Sequence, residues 1–345
     1  MKKLLLFAVF IISLTVLSAF AYASGRTVGN GGNVVICDND GVKTYEVLDF
    51  YEARVLRNVQ IDFDLKGDTF ESKAQFLIKR LERVSSVRAQ LYQQFFQNFK
   101  QEVFWLKEGE LNDISDSDHI TKPPQGCSIK QVVNQSNPVM PMDKRYFIDQ
   151  KIWDKMTDTQ RVGLVMHEII YREAISLGHT NSVSTRYLNS IISSGVMDEM
   201  SELGFAQILR DLGFQSSKVQ GVEVNLDKKY EVYSNGQLKK ATVKEGSIYS
   251  LFNQRVSLRD EISFYENGQV ERLFLADMAQ LKINELNFDL FPYELSFYEN
   301  GQLKSCTLAK ELLLSTNQYQ LQLTGVIEFF DNGILKIGYV VKGQF

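Results

Sequence analysis

The chain has 345 residues, 38 of them basic and 42 acidic, for a formal net charge of −4. With no basic stripe to displace counterions from phosphates, nucleic acid is not an expected partner. The length suits two domains of roughly 100 to 200 residues each.

Lys2 and Lys3 precede an apolar run from Leu4 to Phe20 and then "AYAS", where Ala21 and Ala23 supply the small residues of a cleavage site. That order of basic, apolar and small describes a secretory signal peptide over residues 1–23. The alternative is an uncleaved anchor, since the run is long enough to span a bilayer. Cys37 is the first cysteine, so lipid attachment at the cleavage site is not indicated, and nothing later resembles a second span. Losing Lys2 and Lys3 takes the balance from 38 against 42 to 36 against 42, a net charge of −6. A bacterial protein released beyond the inner membrane is expected, in the periplasm, on the outer surface or in the medium. In an oxidising compartment Cys37 and Cys127, both at ends of strand candidates, are the economical disulfide, with Cys306 left as a buried thiol.

Residues 24–217 read as an α+β domain, mainly helical with a small sheet. Val34–Cys37 is a short strand, "DNDG" a turn, and "KTYEVLDF" the strand that pairs back. The glycines of "GNGGN" lack the Lys-Ser/Thr of a phosphate loop. From Glu71 to about Lys107, Phe76, Leu77, Leu81, Val84, Val87, Leu91 and Phe95 recur at helical spacing on one long segment with a basic, glutamine-rich wet face. His119 belongs to an exposed loop, and "CSIKQVV" and "RYFID" are two further strands. Thr157 can cap the next helix with Gln160 reaching back, and Gly178 stops it. Asn181 or Ser182 caps another helix, and Gly213 ends a third.

"MHEIIYREAISLGH", residues 166–179, resembles the zincin helix of metallopeptidases, whose H-E-x-x-H pattern places two imidazoles one turn apart. The match holds at His167 and Glu168 and fails at Tyr171, where that family has its second histidine. The resemblance implies a metal held by His167 with His179, helped by Glu173 or Glu199, and Glu168 acting on bound water. Tyr171, Arg172 and Glu173 would line such a site. Two other readings stand beside it. His167 is a core histidine bonded to another polar group with Glu168 and Arg172 as an i,i+4 pair, or the helix belongs to a zincin-like fold that has kept a buried network and lost its metal. No G-x-S-x-G elbow supports serine catalysis.

Residues 218–345 change to short alternating strands. "YSNGQLK", "FYENGQVE", "FYENGQLK" and "FFDNGILK" place the turn pairs Asn235-Gly236, Asn267-Gly268, Asn300-Gly301 and Asn332-Gly333 at intervals of 32, 33 and 32 residues. Such a period means stacked copies of one unit. A two-residue Asn-Gly turn predicts cross-strand pairs Tyr233–Leu238, Tyr265–Val270, Tyr298–Leu303 and Phe330–Leu335. These segments resemble the MORN-repeat variant family of successive β-hairpins. The period is about ten residues longer than is usual there, which an extra strand per unit would explain. The resemblance implies a binding or scaffold surface and no catalytic residues. Two functions follow as expectations: an exported cell-envelope protein whose repeats bind a protein or envelope component, with no cofactor, or a periplasmic or secreted zinc-dependent hydrolase with an altered site.

Overall fold

A computed structural model describes residues 26–29, 32–63, 67–109, 111, 122–283, 286–315 and 320–344. The expected signal peptide and His119 lie outside the described residues. Among the described residues no helix is long and apolar enough to cross a membrane. The architecture is α+β, with helices and small sheets first and a large antiparallel sheet after them.

Two compact units are formed, one from Met1–Ile78 with Leu91–Gly195, the other from Lys79–Gln90 with Val196–Phe345. The division expected at 217/218 thus falls inside the second unit. One physical reason is an ion pair, Arg80 with Asp198 at 3.0 Å, that ties the 79–90 segment to the residues after Gly195.

In the first unit β1 (Arg26–Gly29) is followed by β2 (Asn33–Asn39) and β3 (Val42–Val47), joined through Asp40 and Gly41 with φ of 53° and 86°. Positive φ at both central residues is the hairpin turn that matches strand twist. The expected return strand ends at Val47, because Leu48–Arg57 is helix α1. The single long helix expected from Glu71 is two, α2 (Phe70–Glu82) and α3 (Ser86–Glu102), and β4 (Val103–Leu106) follows. The break resets the helical phase, so Val87 is exposed while Tyr92 and Phe99 are buried. Strands β5 (Cys127–Gln131), β6 (Val133–Asn137) and β7 (Tyr146–Asp149) appear where expected. Two sheets result, β1-β6-β7-β4 and β3-β2-β5. In the second, Cys37 lies directly opposite Cys127, and the two form a disulfide.

After α4 (Gln150–Trp153) comes the motif helix α5 (Asp158–Ser176), every residue of which is buried from Val162 to Tyr171. Thr157 Oγ1 accepts from the Gln160 N–H, as a cap should. Gln160 does not complete the capping box; its Oε1 accepts from the Val47 N–H, 113 residues away, at the start of α1. Helix α6 (Val183–Ile192) closes the unit.

In the second unit, α7 (Val196–Glu199) and α8 (Glu202–Asp211) precede the hairpin of β8 (Ser216–Val219) and β9 (Val222–Asn225). The repeat sheet follows: β10 (Tyr230–Val232), β11 (Leu238–Thr242), β12 (Ser247–Leu251), β13 (Gln254–Phe264), β14 (Val270–Leu275), β15 (Ala279–Ile283), β16 (Leu286–Leu290), β17 (Glu294–Phe297), β18 (Leu303–Ser315), β19 (Gln320–Phe329) and β20 (Leu335–Gln344). The four Asn-Gly turns join β10–β11, β13–β14, β17–β18 and β19–β20, and these strands run side by side in that order.

The turn differs from the two-residue form, and the register differs with it. Gly236, Gly268, Gly301 and Gly333 have φ near +82°, whereas the asparagines do not have positive φ. Each loop has three residues: the Gly236 N–H reaches the Tyr233 carbonyl, and the Tyr233 N–H reaches the Gln237 carbonyl. Asparagine instead folds its side chain locally, Asn235 Oδ1 accepting from the Gln237 N–H. The opposed pairs are therefore Val232–Leu238, Phe264–Val270, Phe297–Leu303 and Phe329–Leu335, one residue from those expected. The displaced tyrosines are free to link copies. Tyr233 Oη donates to the Phe264 carbonyl, Tyr265 to Phe297 and Tyr298 to Phe329, at 2.8, 2.9 and 2.8 Å. The asparagine amides repeat the device onto Glu266, Glu299 and Asp331.

The longer period is filled by extra strands. Phe252, in the β12–β13 turn, packs 5.9 Å from Phe297, and Phe288 of β16 packs 6.2 Å from Phe329. The inserted hairpins are linked to each other as well, since the Gln254 amide both donates to and accepts from the Lys282 backbone. Tyr298→Phe, which deletes one rung, is expected to cost about 0.5 to 1.5 kcal/mol, read as a lower urea midpoint with unchanged slope. No change in midpoint would mean the hydroxyl ladder adds nothing to the stacking.

Candidate functional site

The motif helix α5 is the centre of a buried polar network rather than the wall of a cleft. His167 and Glu168 are 1% and 0% exposed. His167 Nδ1 lies 2.9 Å from Asp49 Oδ2, and the same oxygen accepts from Asn189 Nδ2 at 2.6 Å. Asn189 also donates to the Gly163 carbonyl of α5, which fixes α6 against it. The approach of α1 to α5 depends on Gly163, where a Cβ would collide with the Phe50 ring. One turn along α1, Glu52 Oε2 accepts from Arg186 Nε at 2.9 Å, and Arg186 donates to Ser182 Oγ at 2.7 Å.

Glu168 points elsewhere. One carboxylate oxygen accepts from the Gly32 N–H and the other from Gln135 Nε2 at 2.8 Å. No side chain fits at Gly32, where a Cβ would strike Leu164. The expected Glu168–Arg172 pair is thus not formed, because Arg172 pairs with Glu102 at 2.8 Å and lies 4.0 Å over the Phe95 ring. Tyr171 is fully buried with its ring 5.9 Å from that of His167. Glu173 accepts from Tyr92 Oη at 2.7 Å.

The charges follow from burial and partners. Burial pushes the Asp49 carboxyl upward, but the His167 charge, hydrogen bonds from His167 and Asn189, and the Arg186 charge outweigh it and hold it below its ordinary value. Burial pushes His167 down, and the Asp49 charge and hydrogen bond, with Glu168, outweigh it and hold the imidazole above its ordinary value. Both shifts favour the ion-paired form, in which His167 holds the proton a general base would have to accept. Glu168 and Glu52 are raised, chiefly by burial, with their donors only partly offsetting it.

The residues expected to hold zinc are not brought together as a cluster among the described residues. The His179 N–H bonds the Ala174 carbonyl just past the helix end, about 10 Å along the axis from His167 at 1.5 Å per residue. The chain reversal needed to bring His179 back does not occur. Among the described residues no group of three His, Cys, Asp or Glu side chains could hold a metal ion. Mature protein loaded with zinc and gel-filtered is expected to carry well under one metal per chain by elemental analysis. Stoichiometric zinc lost in both His167→Ala and His179→Ala would overturn this reading.

Asp49, Glu52, Gln135, Arg186 and Asn189 escaped the sequence reading. A signal was there in part. Asp49 and Glu52 are spaced i,i+3 within apolar "LDFYEA", as Arg186 and Asn189 are beside Leu188 and Ile192. Charged residues locked in phase with an apolar stripe mark buried pairs.

Fold and site together define an α+β protein with a buried charge network in its helical part and an antiparallel sheet of hairpin repeats. Comparison with family models, with curated proteins and with solved structures finds no match.

Proposed function

We propose that this is an exported bacterial cell-envelope protein, non-enzymatic, whose repeat sheet is a scaffold binding a protein or envelope component. The observation that carries it is the outer face of the sheet. Lys240, Glu261, Arg272 and Glu294 alternate in sign across four successive strands, at 2.8, 3.4 and 3.9 Å, and all four side chains are about a third or more exposed. The opposite face, from Ala241 through Ile262, Leu273 and Leu295 to Ile327, is buried. Exposed pairs of this kind add little stability, so a row of them is better suited to recognition. The disulfide between Cys37 and Cys127 supports export. The buried Asp49–His167 pair supports a structural role for the motif helix.

The test is capture on immobilised mature protein. An envelope component retained by wild type and by Glu168→Gln should be lost with Arg272→Glu, and removal of residues 1–23 should keep the chain in the cytoplasm. Peptidase activity abolished by Glu168→Gln, or binding indifferent to the face, would sink the proposal.

A further inference from the structure

The junctions between hairpins obey one rule. The residue four after each turn glycine pairs with the residue five before the next: Lys240 with Ser263, Arg272 with Ser296, Ser305 with Glu328. At the outer strands β10 and β20 the same positions, Glu231 and Ile337, have no neighbouring hairpin among the described residues.

Positions that the repeats bury elsewhere are open at both of these ends. Four residues before the glycine, Phe264, Phe297 and Phe329 are 1%, 2% and 6% exposed, whereas Val232 is 44%. Seven after it, Leu275 and Leu308 are 0% and 2% exposed, whereas Val340 is 51%. Repeat arrays usually end in polar caps, and edge strands are usually short or charged. β20 is ten residues long and carries Leu335, Ile337, Tyr339, Val340 and Val341.

We infer that the array continues from chain to chain, with β20 of one chain pairing antiparallel to β10 of a second copy and Ile337 opposite the second copy's Glu231. Charge favours this register. At two of the three internal junctions the residue four after the glycine faces an acid seven before the next one, as Lys240 faces Glu261 and Arg272 faces Glu294, and at the third both positions are uncharged, Ser305 and Val326. At the chain junction the facing residue is Lys229, and the last copy offers it neutral Ile337 in place of a cation. Self-pairing of two β20 strands about Tyr339 would instead oppose Lys336 to Lys342, and like charges directly opposite destabilise a sheet. The asparagine rung carries over, Asn332 Nδ2 donating to the second copy's Ser234 carbonyl. The tyrosine rung does not, because Phe330 lacks the hydroxyl, and the junction is weaker than the internal ones for that reason. A head-to-tail contact of this type does not close on itself and extends into an open chain unless its rotation makes a ring.

This inference rests on reading the repeats as a scaffold and identifies one partner as the chain itself. The full mature chain carrying Ile337→Cys and Glu231→Cys, mildly oxidised at high micromolar concentration, should give a non-reducing ladder of disulfide-linked oligomers. Reverting either cysteine should abolish the ladder. Phe330→Tyr, which installs the residue of the three other repeats, should restore the missing rung and strengthen association measured by sedimentation roughly 2- to 10-fold, as one hydrogen bond would. Linked dimers from Tyr339→Cys alone would show self-pairing of β20 about Tyr339 and overturn the inference. So would a wild type and a Phe330→Tyr variant that both stay monomeric, and in that event capture through Arg272, on an inner strand, still decides the scaffold reading.

Discussion

Below about pH 6.5, Asp49→Ala is expected to lower stability by about 3 to 5 kcal/mol, because it removes the main counter-charge of a buried imidazolium. Asn189 loses its acceptor at the same time. Domains of ordinary stability have only about 5 to 15 kcal/mol to lose. The pH dependence identifies the cause. Asp49 is held below its ordinary value, so its contribution is present above about pH 4 and is lost as pH falls through the lowered folded value. His167 is held above its ordinary value, so its contribution is complete below about pH 6.5 and is lost as pH rises through the raised folded value. Wild type should therefore be most stable between those limits. In Asp49→Ala the attraction is gone and burial depresses His167, so the neutral ring is favoured and the variant should weaken as pH falls below about 6.5. Urea unfolding across pH 4 to 8 measures both. A loss under about 1 kcal/mol, with the wild-type pH profile retained, would mean the pair is not buried as described.

What the residues revealed, and what they hid, follows from the range of the interactions involved. The hairpin period and both ends of α5 are set by neighbours in sequence, and the disulfide was narrowed by two strand ends in a chain of three cysteines, so glycine spacing, strand ends and Thr157 were enough to place them. The hairpin register was missed because it turns on the backbone sign of one asparagine. Asn235 satisfies its side chain with the Gln237 N–H and leaves positive φ to Gly236 alone, and the residue type cannot announce that choice. Helix α1 was missed because "KTYEVLDF" fits a strand until its partners are known. The Val47 N–H there is taken by Gln160, and Asp49 and Glu52 are neutralised by His167 and Arg186, all more than a hundred residues away. The H-E pair on α5 was visible, but its meaning was not. Spacing puts His167 and Glu168 on adjacent faces, and only the three-dimensional neighbours decide that one faces Asp49 while the other faces Gly32 and Gln135.

Opening the Cys37–Cys127 bridge, by reduction or by Cys37→Ser with Cys127→Ser, is expected to cost about 4 to 5 kcal/mol in the chain-entropy model. The bridge joins residues 90 apart, so the unfolded chain gains a large loop's freedom when it opens. Its place in the fold adds to the effect. Cys37, Cys127 and Ile129 pack against Val35, Leu48 and Tyr51, so two polar hydroxyls would replace sulfurs beside the start of α1. That is the helix carrying Asp49 and Glu52. Loosening it strains the charge network from the other side, and the double serine variant should also lose part of the pH dependence described for Asp49. Cys306 gives the control, since burial pushes its thiol up to about 12 and keeps it out of exchange. Cys306→Ala should leave the response to reductant unchanged. Thermal or urea unfolding with and without reductant, read beside thiol trapping of the folded protein, gives the answer. An unfolding midpoint that does not move when the trapped thiol count of the folded protein rises from none to two would show that the strand pairing of β2 with β5 holds this sheet without the bridge.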